Sequence, residues 1–324
     1  MNRRQILKAF PALATAAAVG KPATAHAQNV TPQTPAMPPS YKGRLRPGMV
    51  ALSYRPQLEA GEMTYEDIVR TIADLGLQGL EVTGYWLPPM LKVPPNTPAV
   101  ELAAMVRQTP ANPTPEWLAS LRNTAYKNGV HLYSVGSPVK MSQNTPELRT
   151  KEIAFGKKWI DIAERLGAGH VRVFLGNPPA GSIEPQAVNW ALEVYKPLLD
   201  YAAPKGMLLG VEDDDDLSRT SAQLLAVMQK ANHPSARIAL DCGNFRRDGY
   251  KECERCAPYA ASMHVKPNMS SPDGTREPAD WTKLFGILAN GGYRGYVSLE
   301  LSTAGTPAAY TAELIRAARL YAGA

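Results

Sequence analysis

The chain reads as an α/β protein, a single (β/α)8 TIM barrel carrying a proline-rich insertion after its second strand. Three observations predict this. Short apolar runs recur at residues 49–54, 79–83, 130–135, 170–175, 207–212, 237–241, 262–266 and 295–300. Runs of that length without polar alternation suit parallel strands covered on both faces. Each run is followed by a segment of helical periodicity, and together the units fill roughly 275 residues, the size of a β/α barrel. Finally, a doubly wound sheet would carry a glycine-rich phosphate turn after its first strand, and the residues after 54 contain none. Neither an internal repeat nor a second domain boundary breaks the pattern.

Residues 28–47 hold Pro32, Pro35, Pro38, Pro39 and Pro47 among polar neighbours and read as an extended tether to a barrel spanning 48–324. The first strand (49–54) leads to a helix over 65–75, stopped at Gly76. The second strand (79–83) runs into the proline-rich stretch 88–115, which contains a helix-like piece at 100–107 and reads as an insertion. A helix over 116–128 then ends at Gly129, ahead of the third strand. Helix 147–166 ends at Gly167, and helices 186–203 and 218–231 follow the fourth and fifth strands. The weakest helix, 250–257, follows the sixth; helix 281–290 stops at Gly291, and 311–322 closes the chain. Glycine suits these stops because the left-handed conformation after a helix is strained for a residue with a Cβ.

Composition narrows the function classes. With 44% hydrophobic residues among 324, the chain can supply a core, so disorder is excluded as its main state. No uncharged apolar run reaches the ~18–20 residues of a membrane span. Three cysteines are too few for a disulfide scaffold. The formal charge of +6 would suggest an anionic partner, but its location removes that suggestion. Asn2-Arg3-Arg4-Gln5-Ile6-Leu7-Lys8 opens the chain, an Ala-rich stretch follows, and Ala25-His26-Ala27 offers a small-x-small cleavage site. This resembles a twin-arginine signal. It implies recognition by the twin-arginine translocation machinery, cleavage near Ala27 and a periplasmic mature protein. Arg3, Arg4, Lys8 and Lys21 leave with residues 1–27, so the remainder carries 31 basic against 29 acidic residues. No basic stripe remains to track a nucleic acid.

In a β/α barrel the chemistry sits at the C-terminal ends of the strands. There the chain places Glu212, Asp241, His264 and Glu300 on four consecutive strands, 29, 23 and 36 residues apart. Carboxylates at the ends of apolar strands are costly to desolvate alone, and a divalent cation would offset them. Three oxygens and one nitrogen suit Mn²⁺, Co²⁺ or Mg²⁺ better than a structural Zn²⁺.

These residues stand in Val-Glu-Asp-Asp, Leu-Asp-Cys-Gly-Asn-Phe, His-Val-Lys-Pro and Gly-Tyr-Arg-Gly-Tyr-Val-Ser-Leu-Glu. In those segments the chain resembles the xylose isomerase-like barrel superfamily, in the branch called sugar phosphate isomerase/epimerase; Gly-Leu-Glu at 79–81 agrees. The resemblance implies that Glu212, Asp241, His264 and Glu300 hold one divalent metal and that Glu212 and Glu300 exchange protons with substrate. Proton abstraction beside a carbonyl through an enediolate would give epimerisation or isomerisation; loss of a β-substituent would give lyase or dehydratase chemistry on a keto-glycoside or cyclitol. A non-catalytic alternative is a periplasmic sugar-binding barrel with a structural metal. The chain departs from the family's ketose 3-epimerases at Asn244, Ser218 and Ser270, where they carry His, Glu and Arg, and has Asp214 where many members carry His. Export weighs against phosphorylated sugars.

Other residues are candidates on chemistry alone. Lys266 shares the strand face of His264 and is expected to act on a substrate oxygen. Glu81, Trp86, Arg172 and Asn244 are expected to bind substrate, with Tyr85 and Trp86 as stacking rings. His131 and His170 begin strands and read as structural, and His233 as exposed. The acids 213–216 read as a solvated loop capping the next helix, with a supporting role at the metal as the other reading. Cys253 and Cys256 read as inert helix cysteines rather than a bridge, and oligomeric state stays open.

Overall fold

The computed structural model describes residues 45–89, 94, 97–301 and 307–321; the stretch expected to be a signal sequence (1–27) and most of the expected tether, with part of the proline-rich stretch, lie outside them. Eight parallel strands close a barrel: β1 (Arg46–Val50), β2 (Gly79–Thr83), β3 (His131–Lys140), β4 (His170–Phe174), β5 (Leu208–Glu212), β6 (Ala236–Asp241), β7 (Ala260–Val265) and β10 (Tyr296–Leu299). They follow chain order around the ring, with β10 returning to β1. The short strands β8 (Asn268–Ser270) and β9 (Arg276–Pro278) form an antiparallel hairpin after β7.

The helices start and stop where local chemistry requires. In α2 (Tyr65–Asp74), Thr64 and Asp67 cap each other reciprocally, as Thr220 and Gln223 do for α7 (Ser221–Ala231). Thr114 and Thr145, each followed by proline, cap α4 (Pro115–Lys127) and α5 (Pro146–Leu166). Helices α3 (Ala99–Gln108), α6 (Glu184–Ala202), α8 (Gly249–Cys256), α9 (Trp281–Asn290) and α10 (Ala308–Arg319) complete the outer layer. Leu58, Ile68, Trp159, Tyr195 and Phe285 are among the side chains buried between helices and barrel.

The lumen is layered. Its floor is aromatic: Tyr133 and Tyr296 stack at 4.3 Å, and Tyr133 donates to Ser298 Oγ at 2.8 Å. Above them the lumen is polar and charged. Strand glycines make the room: a Cβ on Gly79 would lie 2.3 Å from the Tyr296 ring, and one on Gly210 2.3 Å from His170 Nε2.

Four sequence expectations need correction. The first strand is Arg46–Val50 rather than 49–54, because residues 51–54 turn tightly ahead of α1 (Arg55–Ala60), which the sequence reading missed. Pro56 starts that helix, and Ser53 ties the turn to β10 by donating to Leu299 O and accepting from Leu301 N. Arg46 and Pro47 therefore belong to the barrel and not the tether. Strand β3 is His131–Lys140 rather than 130–135, continuing past Gly136 and Pro138 with a register break. Helix α7 begins at Ser221, not 218, because its cap is Thr220 and not the acids 213–216. The hairpin was not foreseen, since three-residue strands leave no periodicity.

Gly79→Ala would force a methyl group against two packed tyrosine rings. We expect a loss of about 1–3 kcal/mol in unfolding free energy, read from urea denaturation; an unchanged midpoint would show that the floor of the lumen yields.

Candidate metal centre

Register places the cluster. Asp241 and His264 are paired neighbours on β6 and β7, Glu212 ends β5, and Glu300 follows β10 directly. All are buried, between 0% and 5% exposed. One ligand atom from each lies within 4.8 Å of those of the others. His264 is central. Its Nδ1 is 3.1 Å from Glu300 Oε2, 3.3 Å from Glu212 Oε1 and 3.9 Å from Asp241 Oδ2. It makes no hydrogen bond to any of them, although it is fully enclosed. Ligands ~2.1 Å from an octahedral ion stand ~3 Å apart when adjacent and ~4.2 Å when opposite, so these spacings fit one ion.

The other ring nitrogen is held from behind. Nε2 lies 3.1 Å from Glu81 Oε2. A carboxylate can only accept, so Nε2 carries a proton, and in the neutral ring that would ligate an ion Nδ1 is the bare nitrogen turned toward Glu212, Asp241 and Glu300. Burial opposes charge on Glu81, but His264 and Arg172 hold its carboxyl well below the usual range. Arg172 donates through Nε to Glu81 at 2.8 Å and through Nη1 to Glu212. Gly136 clears its path: a Cβ there would stand 2.4 Å from Arg172 Nη2.

On the open side, Lys266 Nζ lies 2.7 Å from Asp241 Oδ2, 3.3 Å from Glu300 Oε1 and 2.9 Å from Asn244 Oδ1. Burial opposes the ammonium, yet Asp241 and Glu300 raise its pKa well above the ordinary value. Glu300 is likewise held low by Lys266 and His264 despite burial. Asp241 is pushed up by burial, against the pull of Lys266, and by Glu300. Formally, Glu81, Glu212, Asp241 and Glu300 face Arg172 and Lys266, an excess of two negative charges that a divalent cation would cancel with His264 neutral. Without such an ion, Glu81 and Glu300 pull His264 well above its ordinary pKa in spite of burial.

The expected substrate contacts divide. Asn244 and Lys266 face the cluster from the rim. Glu81 is 0% exposed and occupied by three donors, so the structure sets it behind His264 rather than against a ligand. Arg172 is turned inward onto the glutamates. Trp86 is 0% exposed and packs edge-on with Tyr85, so it fills core here and presents no stacking face. The acids 213–216 are only half a solvated loop: Asp214 is exposed and Asp216 half-buried, but Asp213 and Asp215 are buried. Asp213 accepts the Asp241 amide at 2.7 Å, and Asp215 binds Lys140 Nζ at 3.0 Å and the Gly176 amide at 2.9 Å. Burial and the Asp241 charge push the Asp213 carboxyl well up. His233 is partly covered, and its Nδ1 accepts from Ser235 N. Sequence reasoning missed Ser134, which bonds Glu81; a lone serine in an otherwise apolar strand was the available signal.

The chain belongs to the xylose isomerase-like TIM barrel family, which it matches over residues 69–321. No curated protein matches it by sequence. Among solved structures it is similar to a 3-keto-D-glucoside 4-epimerase from E. coli, at 15% identity and a TM-score of 0.62, covering 86% of this chain and 100% of that one. It is similar to a D-psicose 3-epimerase from Clostridium cellulolyticum at 16% identity and 0.63, again over 86% and 100%. A probable 3-DHS dehydratase from Bacillus anthracis aligns at 16% and 0.57, over 85% and 98%. At such identities the likeness speaks for the fold alone.

Two outcomes test this electrostatic arrangement. Arg172→Met should cost about 3–5 kcal/mol, because it strands two buried carboxylates; urea denaturation against wild type measures it. Burial pushes His170 down to about 4 from 6.5, so the folded chain keeps it neutral. Unfolded, it takes up a proton near pH ~6.5, so its contribution is lost as pH falls from there toward ~4, about 2 kcal/mol by pH ~4.5. A His170→Asn variant should lose correspondingly less stability between neutral pH and that point.

Proposed function

We propose that the protein is an exported, periplasmic, metal-dependent enzyme that moves a proton on the carbon beside a carbonyl of a sugar or sugar derivative, as an isomerase or epimerase. The observation that carries this reading is His264 Nδ1, buried without a hydrogen bond and ringed by oxygens of Glu212, Asp241 and Glu300. A divalent ion held by these four residues, Mn²⁺, Co²⁺ or Mg²⁺ by donor type, would polarise a carbonyl and acidify the adjacent C–H. The remaining work falls to the chain. Glu212 and Glu300 come from strands separated by two others, β6 and β7, in the ring order, so they approach a bound sugar from different sides. Glu300, held ionised, takes the proton from the substrate carbon and an enediolate forms; a proton returns from Glu212, which first takes one up from solvent or from the substrate hydroxyl, and Glu300 releases its own to solvent to close the cycle. Return to the opposite face of the same carbon inverts it; return to the neighbouring carbon interconverts aldose and ketose. Lys266 and Asn244 hold a substrate oxygen at the rim. Neutral sugars, keto-glycosides and cyclitols fit an exported enzyme better than sugar phosphates.

One observation favours a second outcome at the same site. The protonated Lys266 lies 3.3 Å from Glu300, so an acid stands beside the base. If the substrate carries a leaving group β to the carbonyl, Lys266 can protonate it, and the reaction becomes an elimination.

Metal analysis of protein purified without chelator, joined to deuterium exchange from heavy water into a panel of free sugars and 3-keto-glycosides, tests the proposal. We expect about one divalent ion per chain, lost in Asp241→Ala, and exchange that Glu300→Gln slows by roughly 10³-fold. Chelation should abolish exchange and Mn²⁺ should restore it. An unsaturated product from a 3-keto-glycoside would select the elimination. Metal absent from wild type and Asp241→Ala alike would sink the proposal.

A further inference from the structure

We infer that Ser134 and His170 are positioning residues which, through Glu81, set the ring nitrogen that His264 presents to the metal centre. This rests on the reading of that centre as a metal site. Register puts the row in place: Glu81 pairs with Ser134 across β2 and β3, and Ser134 with His170 across β3 and β4. The three therefore stand side by side at one height in the lumen, none more than 3% exposed. Ser134 Oγ is 2.9 Å from Glu81 Oε2 and 2.8 Å from His170 Nδ1.

A hydroxyl has one proton to give. Glu81, paired with Arg172 at 2.8 Å, can only accept. Ser134 therefore donates to Glu81, and its oxygen accepts from Nδ1–H of His170. That assignment leaves His170 Nε2 bare. The structure agrees, because Nε2 is buried with no partner and faces Gly210 where even a Cβ would lie 2.3 Å away. The alternative tautomer would enclose an unpaired N–H there. The direction of the row is thus fixed at its far end: His170 donates to Ser134, Ser134 to Glu81, and Glu81 keeps acceptor capacity for Nε2–H of His264. His264 Nδ1 is left as the bare nitrogen.

Glu81→Gln breaks this logic. The Arg172 Nε–H and the amide NH₂ cannot face each other, so the amide oxygen turns to Arg172 and the NH₂ to His264 and Ser134. His264 Nε2 must then accept, which moves the ring proton to Nδ1 and blocks ligation. Ser134→Ala removes one oxygen, leaves His170 Nδ1–H unpaired and loosens Glu81 without adding bulk.

Manganese titration calorimetry on the full chain, with long-range 1H–15N correlation of the histidine rings in the zinc-loaded protein, tests the inference. We expect wild-type His264 to carry its proton on Nε2. Glu81→Gln should weaken Mn²⁺ binding roughly 100-fold and Ser134→Ala roughly tenfold, each with wild-type circular dichroism. Ser134→Ala alone decides if Glu81→Gln does not fold. A proton on His264 Nδ1 in loaded wild type, or wild-type Mn²⁺ affinity in the folded variants, overturns the inference and leaves the metal reading standing. A wild type that binds no divalent ion overturns the metal reading, and the inference with it.

Discussion

A guanidinium inside the barrel sets the conditions for the charged layer above it. Arg172 reaches Glu81 on one side and Glu212 on the other, and so joins the carboxylate behind His264 to one in front of it. Remove that cation and the lumen holds buried carboxylates that solvent cannot screen. The rest of the polar layer is arranged around it: Gly136 yields the space, Glu81 is fixed for His264, and the remaining negative charge is left to Lys266 and whatever cation the site accepts. The aromatic floor contributes by filling the lower lumen, so the charged groups rest on packed rings rather than on water.

How much was legible beforehand follows from what each signal depends on. The strand from Gly79 to Thr83 was readable to the residue, and the five from β4 to β10 in the barrel ring to within two, because an apolar run bounded by turn residues is a local property. The quartet Glu212, Asp241, His264 and Glu300 was readable for the same reason: each ends or nearly ends such a run, and the barrel topology does the rest. The depth of Glu81 and Trp86 was not readable, because strand-end position says nothing about burial. Glu81 sits mid-strand, level with Ser134, and its three donors come from β3, β4 and β7. Only the register of distant strands reveals that.

The acids after β5 show the same limit from the other direction. A run of four aspartates looks solvated in one dimension. In the fold, one accepts the backbone amide of a cluster residue and another locks Lys140 and the β4 loop, while the helix that follows takes its cap from Thr220. Asp215 has a donor aimed at each oxygen, whereas Asp213 has one only at Oδ1 and leaves Oδ2 buried without a partner, and burial pushes that carboxyl up.

The three thiols have a consequence for the chemistry the folded chain withstands. Cys242, Cys253 and Cys256 are free and buried, and burial pushes Cys242 up to about 12 and raises the other two well above the ordinary thiol range. Thiolates at these positions are scarce at neutral pH, and thiolates are what oxidants and exchange partners attack. Once folded, the barrel therefore withholds all three thiols from oxidants and exchange partners, whatever the redox poise of the medium around it.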